Sequence, residues 1–151
     1  MASDIGQLEA RLKRLEKERA VLSTLYRYGH SIDYGLAQER VDCFTEDGAF
    51  DLRSRNGSNA RYDGREALTA FIARSPKPPA KYRKHLLIEP VITIDGDSAR
   101  VQSYYATLHE DNGVPLISAF GRYHDKLVKC PDGRWRFRER NVEVEARLNA
   151  R

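Results

Sequence analysis

The stretch from Tyr82 to Ala146, YRKHLLIEPVITIDGDSARVQSYYATLHEDNGVPLISAFGRYHDKLVKCPDGRWRFRERNVEVEA, decides the fold. It is rich in β-branched and aromatic residues and is cut three times by turn formers: Asp95-Gly96-Asp97, Asp111-Asn112-Gly113 and Pro131-Asp132-Gly133. Such clusters between alternating apolar runs signal hairpins, because glycine and Asn/Asp readily adopt the positive φ that tight turns demand. The reading is four strands, over residues 82–94, 99–110, 115–128 and 135–146. Each exceeds the usual five or six residues, and long strands joined as a meander twist and curl.

Working back toward the N-terminus, the period changes from two to 3.6. Ile5, Leu8, Leu12 and Leu15 recur at helical spacing, and the stripe resumes at Leu22, Leu25 and Tyr26 before Gly35 stops it. This predicts one long helix whose charged first half, residues 1–20, extends beyond the domain as a packing arm. A short second helix is expected from Ala37 to Phe44, then a short strand over Ala49 to Leu52. The polar cluster Asn56-Gly57-Ser58-Asn59 turns the chain, so Tyr62 falls on a returning strand. A third helix over Arg65 to Arg74 carries Leu68, Phe71 and Ile72 inward, and Pro76, Pro78 and Pro79 prevent its continuation. Helices first and an antiparallel sheet after, with no βαβ alternation, give the α+β class. The architecture expected is a cone: a curved mixed or antiparallel sheet with three N-terminal helices over its concave face, enclosing a pocket.

The 151 residues fit one domain, 1–151. Hydrophobic residues at 40% and charged residues at 32% exclude disorder and a membrane span. Met1-Ala2-Ser3-Asp4-Ile5 leads into a charged segment without the apolar run of a secretory signal, so the cytoplasm is the expected location. Cys43 and Cys130 have no metal-ligand spacing and read as reduced thiols. The net charge is +4, but basic and acidic residues alternate, as in Arg11 to Arg19, which is the pattern of a solvated helix face. The denser run of Lys77, Lys81, Arg83 and Lys84 lacks interleaved stacking aromatics. No nucleic-acid partner and no membrane partner is therefore expected.

Several strings, taken with the order of elements, resemble the nuclear-transport-factor-two-like superfamily and its SnoaL-like branch. They are Leu25-Tyr26-Arg27-Tyr28-Gly29-His30-Ser31-Ile32-Asp33, Phe44-Thr45-Glu46-Asp47-Gly48-Ala49-Phe50, Tyr62-Asp63-Gly64-Arg65-Glu66-Ala67-Leu68 and the run His85 to Ala99. In members such as scytalone dehydratase, hexachlorocyclohexane dehydrochlorinase and bile-acid dehydratase, an Asp ending the first helix and a His opening the first long strand form a catalytic pair. Asp33 and His85 stand at the matching positions, and Tyr28 matches a catalytic tyrosine of bile-acid dehydratase. The resemblance implies a lyase or isomerase of dehydratase or cyclase type, acting on a small hydrophobic cyclic, polyketide-like or steroid-like substrate, in a homodimer or homotrimer. It equally admits a non-catalytic binding or assembly subunit, as in ring-hydroxylating dioxygenases.

An Asp beside a His suits proton abstraction, because the carboxylate fixes the imidazole tautomer and stabilises the imidazolium. Elimination or isomerisation on that plan needs no metal and no organic cofactor. A phenol within reach could stabilise an oxyanion. Tyr26, seven residues before Asp33, is nearly in line with it on a helix, whereas Tyr28, five before, lies about 140° away; both remain candidates. His30, three residues before Asp33, is a competing partner for the carboxylate. Strand alternation puts Tyr105 on a face with small and apolar residues, and groups Leu116, Ser118 and Phe120, and also Trp135, Phe137, Glu139 and Asn141. Tyr26, Tyr105, Phe120 and Asn141 are thus the candidate substrate contacts. His109 and His124 read as exposed. His85 and Glu89, four apart on a strand, lack the helical geometry of a zinc pair, so no metal site is expected.

Overall fold

The computed structural model describes residues 2–75 and 82–148, with side chains from Asp4 onward. The elements run α1 (Ala2–Asp33), α2 (Ala37–Asp42), β1 (Phe44–Ser54), β2 (Ala60–Asp63), α3 (Gly64–Ala73), β3 (Lys84–Asp95), β4 (Ser98–Asp111), β5 (Val114–Lys129) and β6 (Trp135–Arg147). The α+β class, the three leading helices and the four long strands are as expected. The proline cluster and Lys77 and Lys81 of the basic run lie outside the described residues.

One sheet holds all six strands in the order β2-β1-β6-β5-β4-β3. Its pairs are antiparallel except β1 against β6, which is parallel. β1 is longer than the expected Ala49 to Leu52 because it begins at Phe44, immediately after α2 ends. The ladder breaks register between Phe44 and Ala49, so the strand bends there.

Helix α1 divides into two parts. Val21, Leu25 and Tyr28 are buried against the sheet, where they meet Phe44, Phe137 and Tyr123 in the core. The Lys17 ammonium donates to the carbonyl of Gly96 at 2.7 Å and marks where the helix reaches the β3–β4 turn. Before that point Ile5, Leu8, Leu12 and Leu15 are 57–61% exposed, so the charged first half does extend as an arm. No helix among the described residues is long and apolar enough to cross a membrane.

Curvature comes from bulges, and each bulge inverts the inside–outside alternation beyond it. On β5 the register slips at Ser118, between Thr107↔Ala119 and Leu108↔Ile117. Leu116 and Ser118 face the concave side, but so do Ala119, Gly121 and Tyr123, which leaves Phe120 outside and 47% exposed. On β6 the slip falls at Arg138, between Lys126↔Glu139 and Leu127↔Phe137. Trp135 and Phe137 are inside, then Arg140, Val142 and Val144, so Asn141 is turned outward and donates to the carbonyl of His124 at 3.2 Å. Two of the expected substrate contacts, Phe120 and Asn141, are therefore corrected for one reason: a bulge upstream of each interrupts the strand alternation and turns the side chain outward.

Gly121 is the residue that permits a further slip of the β5–β6 ladder, between Phe120 and Gly121. A Cβ on it would lie 1.8 Å from the carbonyl oxygen of Glu143, a clash with backbone on the neighbouring strand. Gly121→Ala is expected to cost about 2 kcal/mol or more of stability, at the upper end of overpacking penalties. Urea unfolding measures it, and an unchanged midpoint would contradict the close approach.

Candidate active site

Asp33 is the last residue of α1, and His85 is the second residue of β3. The aspartate grips the histidine twice: its Oδ2 accepts the backbone N–H of His85 at 2.9 Å, and its Oδ1 lies 2.6 Å from Nδ1. Both side chains are largely enclosed, 10% exposed for Asp33 and 16% for His85. Since a carboxylate only accepts, the bond assigns the proton to Nδ1 and leaves Nε2 as the basic nitrogen. Nε2 has no partner in the protein among the described residues. His30, the competing partner, instead stacks on Tyr34 at a centroid distance of 5.8 Å.

His85 lies on the wall of a cavity of about 1340 Å³ between the helices and the concave sheet. Apolar walls are typical of organic-ligand sites, and here Ile32, Phe50, Leu52, Phe71, Val142 and Val144 supply them. Tyr62 and Phe71 stack at 4.2 Å with planes 14° apart, and Phe50 extends the stack at 5.2 Å.

The tyrosine candidates separate cleanly. Tyr28 is 4% exposed and lines the cavity, its ring packed edge-on against Phe44 and Phe137. Its phenol is 3.4 Å from Nη2 of Arg40. The helical phase that sets it apart from Asp33 is real: Asp33 turns to β3, whereas Tyr28 turns to the floor of the cone. Tyr105 also lines the cavity, stacked on Tyr123 at 4.5 Å, and burial pushes its phenol up to about 12. Tyr26 does not line it. That side chain is 43% exposed and borders only a cleft of about 180 Å³ between α1 and β3, so its expected role as a substrate contact is corrected. His109, read as exposed, is half-buried on the cavity wall, which also holds buried Thr107 and half-buried Ser118, their hydroxyls 2.9 Å apart.

Beneath the cavity sits a buried charge that the sequence reading did not single out. Arg140 is 1% exposed and its guanidinium lies over three rings, 3.7 Å from the centroid of Tyr123, 4.3 Å from Tyr28 and 4.6 Å from Phe137. Asp125 opposes it at 3.7 Å, also buried. This pair orients the two tyrosines through cation–π contact and is weak evidence for stability, because burying both charges is costly. Burial raises the Asp125 carboxyl to about 6 against the pull of Arg140.

A family model, the SnoaL-like domain, matches residues 13–141. The chain belongs to the SnoaL-like family. No curated relative matches the sequence. Among solved structures, an NTF2-like protein with a cystatin-like fold from Novosphingobium aromaticivorans is similar at 24% identity and TM-score 0.79, over 91% of this chain and 87% of that one. From the same organism come a protein assigned as the β subunit of an aromatic-ring-hydroxylating dioxygenase (19%, TM-score 0.78, 91% and 94%) and a scytalone dehydratase-like protein (21%, TM-score 0.69, 91% of each). These likenesses show the fold, and the fold is common to dehydratase-type proteins and to dioxygenase β subunits. The SnoaL-like match begins at residue 13, beyond most of the exposed arm.

Asp125 yields a pH prediction. Folded, it keeps its proton up to about 6, whereas the unfolded carboxyl releases it near 3.8. Between those values the folded state binds more protons, so this group removes stability as the pH rises, by about 3 kcal/mol in all. The difference in urea-unfolding free energy between the wild type and Asp125→Asn should therefore shift against the wild type from pH 4 to pH 7. Parallel pH profiles would contradict the raised value.

Proposed function

We propose that this SnoaL-like protein is a lyase or isomerase of dehydratase or cyclase type, in which the Asp33–His85 pair removes a proton from a cyclic, largely hydrophobic substrate. The carrying observation is the 2.6 Å contact between Asp33 Oδ1 and His85 Nδ1 on the wall of the large cavity. In the proposed step, Nε2 takes a proton from a substrate carbon and Asp33 stabilises the imidazolium formed. The C–H pair becomes a C=C bond as a leaving group on the adjacent carbon departs with its own bonding pair and takes the proton from the imidazolium, or the imidazolium returns the proton to another carbon of a conjugated carbonyl system. The phenols of Tyr28 and Tyr105, both on the cavity wall and the latter held protonated, are placed to donate to developing negative charge. This chemistry requires neither metal nor organic cofactor.

A second reading, an assembly or binding subunit, is favoured by one observation, the exposed apolar stripe of Ile5, Leu8, Leu12 and Leu15. Association through that arm and catalysis at the dyad use different parts of the chain. The two readings separate on activity.

The test is a panel of cyclic β-hydroxy ketones followed by the absorbance of the conjugated product. With any substrate that turns over, His85→Ala should lower kcat by roughly 10²- to 10⁴-fold, the usual contribution of a positioned general base, and Asp33→Asn should lower it through the lost tautomer control. Turnover that survives His85→Ala unchanged would overturn the proposal.

A further inference from the structure

The cavity is apolar in its walls but cationic in its charge. Arg40, Arg74, Arg83 and Arg147 line it against a single carboxylate, Asp111. Among the described residues none of the four lies within ion-pair distance of a carboxylate. Arginines elsewhere on the barrel, such as Arg61, Arg65, Arg122 and Arg136, are held by Asp51 and Asp63, by Asp42 and Glu46, by Glu145 and by Asp132.

Arg74, Arg83 and Arg147 are exposed, where water pays for their charge. Arg40 is not. It is 7% exposed, carried inward by the short helix α2 wedged between α1 and α3. Its Nη1 donates to the Ser75 hydroxyl at 3.1 Å, its Nη2 lies 3.4 Å from the Tyr28 phenol, and its Nε has no partner among the described residues. Of the acids nearest along the chain, Asp42 accepts from Arg65 and Gln38, and Glu39 is exposed and makes no ion pair with Arg40 among the described residues. Two neutral hydroxyls and the faces of Tyr28 and Phe71 hold this buried guanidinium, and among the described residues no carboxylate completes the ion pair. Its planar fork matches a carboxylate. The guanidinium carbon is 5.2 Å from the centroid of Phe71, the ring that stacks on both Tyr62 and Phe50.

We propose that the cavity takes a ring compound bearing a carboxylate, with the carboxylate paired to Arg40 and the ring laid against the Phe71 stack. This rests on the cavity being the substrate site, as proposed above, and names the substrate class: cyclic or aromatic acids rather than neutral hydrocarbons. The exposed arginines at the open side add a field that draws anions in.

Calorimetric titration of 2-naphthoate and of the neutral 2-naphthalenemethanol, with sodium phosphate as a bare anion, tests it. The wild type should bind naphthoate at least tenfold tighter than the alcohol, and Arg40→Gln should remove that preference while leaving alcohol binding unchanged. Should the glutamine variant fail to fold, Arg40→Lys keeps the charge but loses the fork, and should weaken naphthoate by roughly tenfold. Equal affinity of acid and alcohol in the wild type would overturn the anion assignment and leave the cavity reading standing. Binding of neither would overturn both. A preference for the acid that survives Arg40→Gln, or phosphate binding as tightly as naphthoate, would assign the effect to the rim rather than to Arg40 and overturn the proposal.

Discussion

Two oxygens of one carboxylate hold the site together. Asp33 ends α1, where the helix dipole disfavours an anion, and both its oxygens are spent on a single residue, the backbone and the ring of His85. One bond ties the last turn of the helix to the start of β3 and so fixes how the helix crosses the sheet. The other fixes the ring and its tautomer. The same contact closes the cone on that side and makes a base of the nitrogen that is left over. Without it, α1 has no polar anchor at its C-terminal end, and His85 is an ordinary histidine at the beginning of a strand.

The extent to which this was legible in the sequence follows from the range of each signal. Turn chemistry is local, so Asp95-Gly96, Asn112-Gly113 and Asp132-Gly133 place all three hairpins, and helical periodicity places α1 and α3 to within a residue or two. The dyad was legible by resemblance: spacing alone does not bring residues 33 and 85 together. Phe120, Asn141 and Arg140 were not legible, because a bulge shifts the alternation by one residue and leaves no composition mark of its own. Only Gly121 hints at one, as a glycine within an otherwise continuous strand. Arg40 was hidden differently. In Ala37-Gln38-Glu39-Arg40-Val41-Asp42 it reads as one more surface charge, and its burial depends on α3 packing across from a distant part of the chain.

These buried cations change what the cavity is. Apolar side chains form most of its wall, as the cone architecture implies, but the charged groups near it serve two purposes. Arg140 is already balanced by Asp125 and sandwiched by rings, so it shapes the floor and positions Tyr28 and Tyr123. Arg40 meets hydroxyls and rings but no carboxylate among the described residues. Fold membership is shared by dehydratase-like proteins and dioxygenase β subunits; this chain's cavity wall carries both an imidazole nitrogen and a guanidinium that meet no carboxylate among the described residues.

The central claim is that Asp33 holds His85 in the Nδ1–H tautomer with Nε2 as the base. Long-range 1H–15N correlation of the histidine rings tests it most directly. The account predicts that neutral His85 shows a protonated Nδ1 and a pyridine-like Nε2, and that Asp33→Asn disturbs this pattern at His85 while leaving His124 unchanged. A neutral His85 protonated at Nε2 in the wild type would contradict it.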